Sequence, residues 1–76
     1  MHEMAKILMK SASGWTELQT SDATLLFQFG DATMIIAPDG SWHCEAPGTR
    51  VTKSIGRGKV GALKKFLEDF AAANPL

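Results

Sequence analysis

The chain has one cysteine, no tyrosine and three prolines, and its longest apolar runs, such as Met34-Ile35-Ile36-Ala37, stop at four residues. Each shortage excludes something. A lone cysteine cannot form an internal disulfide, which fits a reducing compartment. Four apolar residues in a row fall far short of the ~20 that a membrane-spanning helix needs. The opening Met1-His2-Glu3-Met4-Ala5-Lys6 lacks the basic region and apolar core of an export signal, so the expected location is the cytoplasm, with no membrane partner. One cysteine and two histidines give no metal-ligand spacing, and His2 stands at the terminus. No metal and no cofactor are expected.

What is present is ordinary for a globular protein: 45% hydrophobic and 21% charged residues in a chain of 76. That length makes residues 1–76 a single domain. Its core is near the lower limit for independent stability, because a chain this short buries only ~60–65% of its unfolded surface.

Residues 24–54 organise the rest. Phe29-Gly30-Asp31-Ala32 offers a two-residue hairpin turn with Gly30 where positive φ is needed. Ala37-Pro38-Asp39-Gly40-Ser41 suits a type I turn followed by a glycine bulge. Ala46-Pro47-Gly48-Thr49 fits a type II turn. These turns predict strands near 24–29, 33–37, 41–46 and 49–54. They pair Phe27 with Met34, Leu25 with Ile36, Ile36 with Trp42, Met34 with Cys44, and Cys44 with Val51. One face then carries Leu25, Phe27, Phe29, Met34, Ile36, Trp42, Cys44 and Val51, and a one-residue slip would scatter that set.

The N-terminal segment is ambiguous. Met4-Ala5-Lys6-Ile7-Leu8-Met9-Lys10 contains good helix formers, yet Ala5, Ile7 and Met9 alternate with Lys6 and Lys10 as a strand would. The strand reading is preferred because Trp15-Thr16-Glu17-Leu18-Gln19-Thr20 follows as a partner, with Thr20-Ser21-Asp22-Ala23 as the next turn. The C-terminal segment changes period. Val60, Leu63, Phe66, Leu67, Phe70 and Ala71 repeat at 3.6 residues and predict a helix over 58–73, with Gly58 as N-cap and Asn74-Pro75 as its stop. The expected fold is α+β: an antiparallel meander of four to five strands with one C-terminal amphipathic helix packed on one face.

No catalytic constellation survives this fold. His43, Cys44 and Glu45 are adjacent, but successive side chains of a strand point to opposite faces, so Cys44 faces the core while its neighbours face away. A nucleophilic thiol needs an electropositive, partly exposed setting. The chain reads as a non-enzyme.

Charge is zero in sum but unevenly spread: residues 1–45 carry −4, residues 46–67 carry +6 without a single acid, and Glu68 and Asp69 supply the rest. Lys64 and Lys65 stand four residues before Glu68 and Asp69 and are partly neutralised on a helix. Arg50 falls opposite Glu45 in the last hairpin. Lys53, Arg57 and Lys59 are left uncommitted. Gly56-Arg57-Gly58-Lys59 has neither the spacing of a Walker A loop nor the βαβ setting of a dinucleotide fingerprint. It does place two cations and two glycines at a helix start, where backbone N–H groups suit an anion. Lys53, Gly56, Arg57, Gly58 and Lys59 are therefore the expected anion-binding or nucleic-acid-binding corner.

A four-stranded meander followed by a helix with basic residues just before it resembles the whirly-type single-strand DNA binders. The resemblance is one of topology over roughly residues 24–73, and it implies a nucleic-acid ligand without carrying any residue over. The alternative is a protein-interaction domain, a homodimeric adaptor or a small inhibitor of phage or plasmid type. Leu26 and Ile35, side by side on the outward face, are its expected interface. One helix covers about two strands, so the apolar face of a four- or five-stranded sheet needs either the N-terminal segment or a second chain to close it.

Overall fold

Gly30 and Asp31 join two strands in the tightest turn of the computed structural model, which describes residues 2–18, 23–45 and 56–75. Strand β2 (Leu25–Phe29) returns through them into β3 (Ala32–Ile36), and Gly30 takes the positive φ of 60° that the turn requires. The next connection runs through Pro38 and Asp39 to Gly40. Gly40 N–H donates to the Ala37 carbonyl at 2.9 Å, and Ala37 N–H donates to the Ser41 carbonyl at 2.9 Å. Gly40, at φ 90°, is the bulge residue, and β4 (Trp42–Glu45) follows. Asp39 Oδ1 accepts from the Ser41 amide at 2.9 Å and from its hydroxyl at 2.6 Å, which fixes the turn from within.

These turns set the register. Phe27 lies opposite Met34, Leu25 opposite Ile36, Ile36 opposite Trp42 and Met34 opposite Cys44, as their chemistry predicts. All six side chains are buried on one face, with Phe29 partly buried beside them. A short β1 (Thr16–Leu18) pairs with β2, and the five strands found among the described residues follow one another in chain order across an antiparallel sheet.

The last strand departs from expectation. β5 (Gly56–Gly58) pairs with β4, matching Trp42 with Gly58, His43 with Arg57 and Cys44 with Gly56. Cys44 thus has Gly56, not Val51, as its ladder partner. The expected strand at 49–54 lies outside the described residues, as do the Pro47-Gly48 turn, Arg50, Lys53 and the turn at Thr20–Asp22. Glycine weakens strands in general, which is why Gly56-Arg57-Gly58 reads as a loop. Here a tertiary contact overrides that rule. A Cβ on Gly56 would meet Phe66 Cε1 at 2.6 Å and Trp42 Cζ3 at 3.1 Å, so only glycine lets the edge strand pass beneath those rings.

The N-terminal segment is a helix, α1 (His2–Ser11), and the strand reading of residues 4–10 is corrected. Ala5 and Met9 are fully buried, and Leu8 and Ala12 pack against the same core. Positions 5, 8, 9 and 12 form a helical stripe. A strand would have put Ile7 on the face of Ala5 and Met9, yet it is exposed. Alternation and helical periodicity overlap in so short a segment, and the helix propensity of Met, Ala, Leu and Lys decides between them. Lys10 in the last turn of α1 pairs with Glu17 of β1 at 3.4 Å, tying the helix to the sheet edge.

The second helix, α2 (Val60–Ala73), buries Val60, Leu63, Leu67 and Phe70. Its N-cap is Lys59 rather than Gly58, because Gly58 is held in the ladder opposite Trp42. No side chain caps it, but the Trp42 indole N–H donates to the Lys59 carbonyl at 2.7 Å. At the other end Asn74 N–H and Nδ2 both donate to the Phe70 carbonyl before Pro75 stops the helix. Both helices contribute to one buried cluster with the sheet, so α1 closes the part of the apolar face that a single helix would leave open.

Candidate functional site

The basic corner is only partly assembled among the described residues. Lys53 lies outside them. Arg57 is exposed and sits opposite His43 on the outward face of the sheet. Lys59 is exposed in an extended conformation, φ −96° and ψ 173°, at the start of α2, whose first turn contains no acid. An acid nevertheless stands nearby. The Asp39 carboxyl is held below its ordinary value by the Ser41 hydroxyl, then by the Ser41 amide, and further by the charge of Lys59. Gly56 and Gly58 also have a structural purpose, since both lie against the Trp42 ring and Gly56 against Phe66. The two cations are visible in the sequence, but the neighbouring acid emerges only once the register sets Trp42 beside Gly58.

Every aromatic ring is committed to packing. Trp15, unassigned by its sequence position, stacks against Phe29 and Phe70 with ring centroids 5.5 and 5.1 Å away. Trp42 lies 4.8 Å from Phe66. Trp15, Phe29 and Phe66 are only partly buried in these contacts.

His43, Cys44 and Glu45 separate as the pleat requires. Cys44 is fully buried, and burial, with a smaller push from the Glu45 charge, raises its thiol to about 12. His43 Nε2 lies 3.0 Å from Glu45 Oε2 on the opposite face. Among the described residues no group of three or more His, Cys, Asp or Glu side chains is placed to hold a metal ion.

Leu26 and Ile35 are direct cross-strand partners on the outward face, as expected. Leu18 extends the pair across β1, giving a row of three apolar residues that His43 and Arg57 continue toward β5. The row is thin: Leu26 is half-buried and Ile35 is 38% exposed.

A larger apolar surface lies on the helical side, where the strand reading hid it. Met4 and Ile7 are 61% and 63% exposed, the most exposed large apolar side chains among the described residues. Together with Leu8 they face Val60, Gly61 and Lys64 across a groove of about 400 Å³. The groove continues past Ser11 and Ala12 on one wall and Leu67 and Ala71 on the other, adding about 280 Å³. The early residues of α1 therefore lie beside the early residues of α2, and the two helices run parallel. Lys65 bridges Asp69 at 3.3 Å, whereas Lys64 makes no such pair with Glu68 and stays at the groove rim.

Comparison with known proteins gives no match to a family model, a curated protein or a solved structure. The functional reading therefore rests on geometry and chemistry.

Proposed function

We propose that this protein is a small non-enzymatic binding module that docks another protein surface on the face formed by α1 and α2. The observation that carries the reading is the exposure of Met4 and Ile7 beside a continuous apolar groove. Covering each of these side chains would contribute about 1–2 kcal/mol, and a domain this small has little reason to leave both in water otherwise. Cys44, buried and protonated, suits a binding role better than nucleophilic chemistry. A reducing compartment such as the cytoplasm suits a module whose single thiol stays unpaired.

The test is capture of a partner on immobilised protein at low and high salt, with two sets of variants. Ile7→Asp should abolish capture, while Arg57→Glu with Lys59→Glu should leave it intact, and parent capture should persist in high salt. The reverse pattern would overturn this reading.

A second reading has its own support: Arg57 and Lys59 are exposed where α2 begins without an acid. In it Lys53, Gly56, Arg57, Gly58 and Lys59 hold an anionic ligand, most simply single-stranded nucleic acid. Affinity for a labelled oligonucleotide should then fall steeply between two salt concentrations, and the Arg57→Glu, Lys59→Glu variant should lose it. Equal binding by parent and variant would remove this alternative.

A further inference from the structure

We propose that the occupant of the α1–α2 face is a second copy of this chain, packed antiparallel across a two-fold axis near Ile7. The inference rests on the protein-interaction reading above and gives it a partner. A two-fold interface must be self-complementary, because the same patch meets itself. The outer stripe of α1 meets that condition. Ile7 follows Glu3 by four residues and precedes Lys10 by three, so on a helix of 3.6 residues per turn the three fall within about 60°. All three are exposed, and they read acid, apolar, base along the axis of the helix.

An axis crossing α1 near Ile7 brings the two isoleucines together and sets Glu3 of each copy over Lys10 of the other. Glu3 has no ion-pair partner among the described residues. Lys10 already touches Glu17 at 3.4 Å, but an ammonium carries three donors and can serve both carboxylates. The helix dipoles of the two α1 segments then oppose each other favourably.

The same axis places Met4 of each copy beside Ser11 of the other, on the α2 side. There the groove is walled by Leu8, Ala12, Leu67 and Ala71. Small residues at 11, 12 and 71 leave room, and methionine is the unbranched side chain suited to an irregular slot. Because α1 and α2 run parallel, Lys64 of each copy falls opposite Gly61 of the other. A Cβ on that glycine meets nothing within 4 Å, so the lysine stem has space while its ammonium stays at the rim. The outward Leu26–Ile35 row lacks this pairing of opposite charges about an apolar centre.

The experiment is sedimentation equilibrium of the purified full chain across a concentration series, with circular dichroism melts to confirm that each surface variant folds. The parent should approach twice its 8.2 kDa mass at high concentration. Ile7→Asp, which acts twice at the axis, should be a monomer throughout. Glu3→Lys sets two pairs of like charges face to face and should raise the dimer dissociation constant about ten-fold. Glu3→Lys combined with Lys10→Glu restores opposite charges and should recover most of the parent affinity. A parent that stays monomeric at high micromolar concentration, a dimer indifferent to Ile7→Asp, or a double swap weaker than Glu3→Lys alone would each overturn the second-copy proposal. A monomer would leave the wider protein-interaction reading to its own capture test.

Discussion

A methyl group added at Gly56 would lie 2.6 Å from Phe66 Cε1 and 2.8 Å from its Cδ1, whereas one added at Gly61 would meet nothing within 4 Å. Two glycines five positions apart therefore predict opposite outcomes. Gly56→Ala should destabilise by about 1–3 kcal/mol through overpacking against Phe66 and Trp42. Gly61→Ala should stabilise by about 0.5–1 kcal/mol, because it removes a glycine from the first turns of α2 without a clash. Paired urea melts check both, and equal shifts would contradict the packing described for β5. Asp39 adds a pH-dependent term. Its carboxyl is depressed in the folded state, so its contribution is present above the ordinary value of 3.8 and is lost as pH falls through the lower folded value. Asp39→Ala should melt earlier than the parent at pH 7, and the gap should narrow as pH falls from 3.8 through the lower folded value.

At the scale of elements, α1 offers the sharpest test of helical phase. Met9→Ala removes a fully buried side chain and should cost about 2–5 kcal/mol, while Ile7→Ala in dilute protein should cost less than about 0.5 kcal/mol. Similar losses at both positions would restore the strand reading of residues 4–10. The sequence made some elements legible and hid others for physical reasons. The turns at Gly30 and at Pro38–Gly40 depend on local backbone chemistry, so they disclosed the register and six core residues directly. The long 3.6-residue stripe of α2 was equally plain, but its cap was misplaced, because Gly58 belongs to a strand, and Ala71, counted in the stripe, is exposed. In α1 the stripe is short and Ile7 mimics an alternating pattern. In β5 the glycines serve Trp42 and Phe66, contacts that no local rule reports. The apolar groove stayed hidden because it exists only between α1 and α2. The basic residues at 57 and 59 were visible, but the acid beside Lys59 was not.

For the whole molecule, sheet and helices share one buried cluster in which Trp42 joins β4, β5 and α2: its ring packs on Phe66 and Gly56, and its indole N–H holds the Lys59 carbonyl. Trp42→Ala should cost about 3–5 kcal/mol, enough to leave little folded population in a domain of this size. Trp42→Phe should keep most of the packing but lose about 1 kcal/mol with the hydrogen bond. A Trp42→Ala variant that melts within a few degrees of the parent would contradict this core. The functional claim is that the α1–α2 face, rather than the basic corner, meets a protein partner. Methionine oxidation footprinting reports on it directly, because Met4 is 61% exposed while Met9 and Met34 are fully buried internal controls. The measurement compares Met4 oxidation in dilute purified protein with that in a concentrated lysate of cells expressing it, each scaled to the oxidation of free methionine added to the same sample. The account predicts that Met4 is several-fold slower to oxidise in the lysate, with Met9 and Met34 protected in both. Equal Met4 oxidation in both settings would contradict it.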